Sequence, residues 1–409
     1  MILLARSLSL TDFGYFSLIQ ATLGVLAVFA GAGLGTTGTR YLAEYRHSDL
    51  PRAGRIVSLV WSVAFTTVGL VLVLVLLMAR VVAKEVADIG DVGTFTIAFA
   101  VGGVFLALQV FRSIQDGLLM GLERFRDSAM LRSGEGLAML ALLPALAFRF
   151  GLIGALIGQC IAMFCLLLAG QVVVKRAQMQ AGIESDWRGS WQERSVLRRF
   201  ALPSLLSGTM DTPVLWLGIW MLSRQTEGIA QVALYNAAYQ WHGPLIFIPM
   251  VLCASGMPIM VQSWVEGDLK QFRRVFLILI LAAFGVGLLP VLGLIYMREV
   301  IMGAYGPEYL AGQGALVFLL LAAPLHATTK IGTAALQSMD RAWAAMGTTL
   351  IWVVVYVSTM PVLVQRWGAT GLAVSFALSF FMLTVVRSSF VLINVSRVSH
   401  HESPTRKFG

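Results

Sequence analysis

Along the chain, apolar stretches of about twenty residues alternate with short polar punctuation. Between the charged residues they fall at 13–33, 53–79, 92–112, 129–149, 152–174, 200–223, 231–259, 275–296, 311–329, 345–365 and 368–392. A helix needs about 20 apolar residues to cross a bilayer core of ~30 Å. The runs are too long, and too rich in Leu, Gly and Met without strict alternation, for barrel strands. The pattern therefore predicts an all-α polytopic membrane protein with eleven visible spans. The opening residues Met1-Ile2-Leu3-Leu4-Ala5-Arg6 read like the last turn of an earlier apolar helix. Twelve spans are accordingly expected in a complete chain.

Composition sharpens this reading. Of 409 residues, 58% are apolar and 12% charged, about half the charge of a soluble domain. A mean hydropathy of +0.80 leaves too little polar surface for a water-facing fold. Disorder, coiled coil and collagen are excluded by the same numbers. The net charge of +9 could suggest a nucleic-acid partner, but the charges punctuate apolar runs instead of forming one patch. Cys160, Cys165 and Cys253 lie inside apolar runs without metal-ligand spacing, so neither a disulfide framework nor a zinc site is indicated.

The basic residues set an expected orientation. One set of loops, beginning with Arg40, Arg46, Arg52 and Arg55 and ending with Arg406 and Lys407, takes 23 of the 30 Lys and Arg. That count includes Arg112, Arg132, Lys330 and Arg387. The positive-inside rule makes this side cytoplasmic, with the C-terminus inside and Met1 outside.

Pieces of the first half recur in the second. The Tyr15-x4-Gln20 spacing matches Tyr235-x4-Gln240, and Asp49-Leu50 followed by Arg55 matches Asp268-Leu269 followed by Arg274. Arg149-Phe150-Gly151 with Gly154 matches Arg366-Trp367-Gly368 with Gly371, and Met130 pairs with Met346. The offsets run only from 216 to 220, which points to duplication. Equal span numbers between the pieces give the halves the same orientation, a parallel repeat of the kind secondary transporters use. The expected organisation is a half-bundle over 1–174 with its first span truncated, a basic cytoplasmic connector over 175–199 carrying Trp187 and Trp191, a second half-bundle over 200–392, and a cytoplasmic tail over 393–409.

No phosphate-binding loop, zincin helix or nucleophile elbow occurs, and the outside loops are short. A transporter without nucleotide-driven machinery is expected, not an enzyme, and no cofactor is implied. Candidate chemistry then rests on polar residues inside the spans. Asp211 falls about eleven residues into its span, flanked by Pro203, Gly208 and Pro213. A lipid-facing carboxylate there costs about 2.5–3.5 kcal/mol or more, so it should face the bundle interior or a water-filled cavity. It reads as an ion-coupling site, a substrate contact or a structural carboxylate. Tyr235, Tyr239 and His242 follow at i, i+4 and i+7 beside Asn236 and Gln240, a stripe that suits sugar binding or ordinary interhelix packing. Glu135 lies one to two turns in from the cytoplasmic face, and His326 and Lys330 follow Pro324 at an inner helix end. If the substrate carries a diphosphate, a basic rim at the inner mouth would suit it, with Arg40 and Lys330 as its members.

The stretch Leu3-Leu4-Ala5-Arg6-Ser7-Leu8-Ser9-Leu10-Thr11-Asp12-Phe13-Gly14-Tyr15, with Gly31-Ala32-Gly33-Leu34-Gly35 and Thr39-Arg40-Tyr41, resembles bacterial polysaccharide exporters. These are the O-antigen and capsule flippases of the multidrug/oligosaccharidyl-lipid/polysaccharide exporter superfamily. Asp211 with Gly228 and Tyr235 resembles the family's seventh and eighth spans, and Gly303-Ala304-Tyr305-Gly306-Pro307-Glu308-Tyr309 the loop before its tenth. The resemblance implies two six-helix halves around a V-shaped cavity in the bacterial inner membrane. They would carry an undecaprenyl-diphosphate-linked oligosaccharide outward on an ion gradient, in contact with membrane lipid and beside a polysaccharide polymerase and glycosyltransferases. A multidrug exporter, a peptidoglycan-precursor flippase and a membrane polysaccharide polymerase remain the alternatives.

Overall fold

The computed structural model of the chain describes residues 1–31, 33–86, 92–197 and 211–401. Helices dominate these residues and no strand occurs among them, as expected where lipid offers the backbone no hydrogen-bond partner. By its contacts the chain forms two compact units, Leu3–Ser223 and Arg224–Gly409.

The first unit contains α1 (Ile2–Ser7), α2 (Leu10–Gly31), α3 (Leu34–Tyr45), α4 (Leu50–Val86), α5 (Val92–Gly121), α6 (Phe125–Gln180) and α7 (Asp211–Ser223). The second contains α8 (Gly228–Tyr239), α9 (His242–Val265), α10 (Leu269–Tyr296), α11 (Arg298–Gly303), α12 (Gln313–Ser338) and α13 (Ala342–His401). Seven helical stretches are long and apolar enough to cross a membrane, and a bent pair, Gly228–Val251 with Ser255–Val265, makes an eighth. Their outward faces carry large apolar side chains, from Leu70 at 67% exposed to Phe148 at 82%. Such patches are rare on soluble monomers and normal against lipid.

Two helices are too long for one crossing. The 56 residues of α6 would extend about 84 Å if straight. Gly151 interrupts them at φ 58, ψ −141, and Gly368 interrupts α13 at φ 52, ψ −126. After each break the chain doubles back on itself. A Cβ added to Gly154 would lie 2.1 Å from the Leu146 carbonyl oxygen, and one at Gly371 would lie 1.9 Å from that of Leu363. These hairpins contain the paired spans predicted at 129–149 with 152–174 and at 345–365 with 368–392. The span predicted at 200–223 is described only from Asp211 onward, so Pro203 and Gly208 lie outside the described residues.

The repeat is written in the backbone as well as in the sequence. Glu123 and Asp340, 217 residues apart, both take φ 58, as non-glycine residues rarely do. Asp49 Oδ1 accepts from the Arg52 amide at 3.0 Å, and Asp268 Oδ1 accepts from the Gln271 amide at 2.8 Å. The same capping carboxylate thus opens α4 and α10.

Small residues bring helices together where the hydrophobic effect supplies no drive. Gly117 of α5 approaches Gly35 of α3 so closely that an added Cβ would meet its carbonyl at 2.2 Å, and Thr39 Oγ1 donates to Gly117 O at 2.9 Å. In the second unit α10, α12 and α13 share a core that includes Phe272, Phe276, Ile331, Leu336 and Val391. Part of the expected connector is ordered on α4, where Glu193 accepts from Arg52 at 3.1 Å and Arg55 at 3.3 Å.

Two basic residues counted above as loop charges belong inside the bundles. Arg112 is on α5 at 4% exposed and Arg387 on α13 at 3%. Sequence punctuation assigns a charge to a loop whenever it lies near a span end; here the helices run past both arginines.

Candidate functional site

Pro244 fixes the geometry of the tyrosine–histidine stripe. Its ring cannot continue a helix past the carbonyl four residues earlier, that of Gln240, but it is tolerated in a first turn. α8 accordingly stops at Tyr239 and α9 starts at His242. Gln240 and Trp241 keep right-handed dihedrals (φ −59, ψ −27 and φ −79, ψ −17), so the stripe survives the break. The Tyr235 and Tyr239 rings stack at 5.9 Å, and Tyr239 stacks on His242 at 5.6 Å.

The column continues onto two further helices. His242 stacks on His326 of α12 at 5.5 Å, and His326 on Phe380 of α13 at 4.2 Å. Phe376 meets Tyr239 and His242 edge-on at 5.9 and 5.1 Å. Trp352 lies 5.5 Å from Phe380 and stacks on Tyr356 at 5.6 Å. The indole N–H of Trp352 and the hydroxyl of Tyr356 are buried without hydrogen-bond partners among the described residues.

The hydrogen bonds order the protons. His242 Nδ1 is 2.9 Å from the Leu319 carbonyl, and its Nε2 is 3.2 Å from His326 Nδ1. A carbonyl only accepts, so Nδ1 of His242 carries a hydrogen and donates. In the neutral ring Nε2 is then bare and accepts from the Nδ1–H of His326. That leaves His326 Nε2 as the proton-accepting end of a two-imidazole pair whose other end, His242 Nδ1, stops at a carbonyl, so a proton is taken up and given back at His326 Nε2.

Burial discriminates between the uses of the stripe. Tyr235 and His242 are each 2% exposed, so neither offers a ring face to a sugar in this conformation. A buried imidazole pair needs no such face. Asn236 spends its amide on its own helix, donating to Val232 O at 3.0 Å, and Gln240 caps the end of α8.

The other sequence candidates fall elsewhere. Asp211 is the first described residue of α7 in the first unit and is exposed. Arg40, exposed on α3, lies with its guanidinium 5.5 Å from the Tyr41 ring centre. Lys330 is exposed on α12, one turn beyond His326. Phe376, Phe380, Trp352 and Tyr356 were not singled out from the sequence, although Trp352-x3-Tyr356 and Phe376-x3-Phe380 repeat the i, i+4 spacing of Tyr235 and Tyr239. Among the described residues no group of three His, Cys, Asp or Glu side chains is placed to hold a metal.

Residues 1–264 match the polysaccharide biosynthesis protein family. The chain is 26% identical to the EPS I polysaccharide export inner membrane protein EpsE of Ralstonia solanacearum, over 97% of this chain and 91% of that one. Among solved structures it is similar to an inward-facing multidrug resistance MATE family transporter of the MOP superfamily. That match has a TM-score of 0.76 at 16% identity, over 98% of this chain and 96% of the other. It is also similar to the lipid II flippase MurJ in an inward closed conformation, with a TM-score of 0.73 at 12% identity, over 97% and 86%. At these identities the structural matches establish the fold.

Proposed function

The chain belongs to the polysaccharide biosynthesis protein family, and on that footing we propose that it carries an undecaprenyl-diphosphate-linked oligosaccharide across the bacterial cell membrane by ion-coupled alternating access. The observation that carries the reading is the similarity along nearly its whole length to a protein named for polysaccharide export, on a fold shared with transporters. The basic residue count supports a cytoplasmic C-terminus. Membrane lipid is the surrounding partner, and a polysaccharide polymerase and glycosyltransferases are the expected neighbours in assembly.

The His242–His326 pair supports proton coupling. A proton arriving at His326 Nε2 turns a neutral pair into a buried cation in contact with α9, α12 and α13. Such a charge is costly where it is desolvated. It therefore biases the protein toward a conformation in which the pair meets water or substrate anion, and only a ligand that distinguishes two conformations can drive a switch. Asp211 is retained as a second candidate for the ion path. Tyr235 and Tyr239 stack in line with the pair, Asn236 and Gln240 are retained as candidates for the path, and Arg40 and Lys330 are candidates for the inner rim.

The test is a deletion strain whose lipid-linked oligosaccharides are extracted and compared with the same strain carrying the intact gene. Single undecaprenyl-diphosphate-linked repeats accumulate and surface polysaccharide disappears, and the gene reverses both. Normal glycolipid with altered drug sensitivity would replace this reading with a drug exporter.

A further inference from the structure

Arg112 is a buried cation without hydrogen bonds. None of its three guanidinium nitrogens has a hydrogen-bond partner among the described residues, although its side chain is 5% exposed. Glu135 Oε2, on α6, stands 3.8 Å from its Nε, close enough for charge attraction and too far for a hydrogen bond. The neighbouring carboxylate is already taken: Asp116 accepts from both Nε and Nη2 of Arg132 and from the Ser128 hydroxyl. Native proteins satisfy the great majority of buried polar side-chain atoms.

Arg387 of the second unit shows what a satisfied buried arginine looks like here. Its Nε donates to Thr348 Oγ1 at 2.9 Å, and Nη1 to Thr329 O at 3.1 Å and Thr333 Oγ1 at 2.8 Å. Nη2 donates to Ala345 O at 3.0 Å and Thr349 Oγ1 at 2.8 Å. Equal burial, with at least five bonds in one case and none among the described residues in the other, separates a structural cation from one available to a ligand.

The open cation lines a cleft of about 270 Å³ in the first unit, together with Gln109, Ser113, Asp116, Arg132 and Glu135. A single water occupies about 30 Å³, so the cleft admits a group far larger than one water. Gln109, Arg112, Ser113 and Asp116 follow at i, i+3, i+4 and i+7 on one face of α5. Exposed Gln109 adds a neutral donor beside Arg112, while the Ser113 hydroxyl donates to Val110 O at 2.7 Å. A planar guanidinium fork matches the paired oxygens of a phosphate or carboxylate better than it matches any neutral group. Arg112 also precedes Lys330 by 218 residues, within the register of the internal repeat. Each half thus carries a basic residue at the corresponding point of α5 and α12.

We propose that this cleft binds a phosphate-type oxyanion through Arg112, with Glu135 as the counter-ion that the ligand displaces. The choice of ligand, the diphosphate of the glycolipid, rests on the transport reading above. The long contact with Glu135 aims the Arg112 guanidinium within the cleft. An arriving diphosphate offers the guanidinium the short bonds that Glu135 does not make.

The test uses the full-length protein in nanodiscs, with undecaprenyl diphosphate and inorganic pyrophosphate as separate probes. Arg112→Gln weakens binding at least ~10-fold, since it removes a charge-assisted contact. Glu135→Gln tightens it ~3–10-fold, because it frees the guanidinium and removes a like charge facing the anion. The opposite signs keep the test decisive even if Arg112→Gln folds poorly, because a merely structural ion pair gives no gain on losing Glu135. Pyrophosphate that competes with the lipid identifies the headgroup as the part held, while pyrophosphate binding without lipid binding assigns the same site to a free oxyanion. Affinity unmoved by both substitutions overturns the site and leaves the transport reading standing. No binding of either probe by the unsubstituted protein removes both.

Discussion

Replacing Arg112 and Arg387 by methionine, one at a time, should have unequal effects despite their equal burial. At Arg387 the substitution removes at least five charge-assisted hydrogen bonds, each worth about 1.5–3 kcal/mol. It also returns a desolvation penalty of several kcal/mol for the buried cation. The partners are not all orphaned: Thr333 also donates to Thr329 O at 2.9 Å, and Thr348 and Thr349 to Ala345 O at 2.8 and 3.0 Å. The net loss is therefore about 3 kcal/mol. At Arg112 no hydrogen bond is lost. The attraction to Glu135 at 3.8 Å is worth about 4 kcal/mol at an effective dielectric of ~20, and the returned desolvation offsets it. Glu135 keeps a side chain 26% exposed and can turn its carboxylate to the cleft. The net change there should stay within about 1 kcal/mol. Unfolding of the purified protein by SDS in mixed micelles, followed by tryptophan fluorescence, measures both. A loss at Arg112 as large as that at Arg387 would refute the distinction between a structural and a ligand-ready arginine.

Three further outcomes follow from particular contacts. Gly368→Ala imposes a side chain at φ 52 and brings its Cβ to 2.6 Å from Gln231 Oε1; it should cost at least about 1–2 kcal/mol in a thermal melt, while Gly285→Ala, where an added Cβ meets nothing within 4 Å, stays near wild type. His242→Ala and Asp211→Asn, each checked for normal abundance, should reduce restored surface polysaccharide by about tenfold or more, the scale of one 1.4 kcal/mol step; full restoration withdraws the residue concerned from the ion path. Glu193→Gln loosens Arg52 and Arg55 from the ordered part of the connector; limited proteolysis near residues 183–197 should speed up, with a stability loss of about 1.5–3 kcal/mol because Glu193 is buried.

The helices were legible because the lipid requirement writes itself into the sequence as long apolar runs, and the repeat because Asp49 and Asp268 cap equivalent helices while Gly151 and Gly368 turn equivalent hairpins. The tyrosine–histidine stripe was legible as a helical spacing. Its continuation through His326 and Phe380 was not, because contacts between α9, α12 and α13 leave no local period. Arg112 was misplaced for a related reason: charge near a span end reads as a loop residue, and nothing in one sequence distinguishes a guanidinium with at least five partners from one with none among the described residues. Asp211 shows the opposite limit. Its carboxylate is singled out by its depth in a span, and the side chain is exposed at the first described residue of α7.

The central claim, that the chain carries a lipid-linked oligosaccharide between leaflets, is tested most directly with purified protein in proteoliposomes. These would contain a fluorescent undecaprenyl-diphosphate oligosaccharide and an imposed proton gradient. The account predicts transfer of the glycolipid between leaflets that requires the protein, is accelerated by the gradient, and loses that acceleration in His242→Ala. Transfer no faster than in protein-free vesicles, with the gradient present and the protein folded, would contradict it.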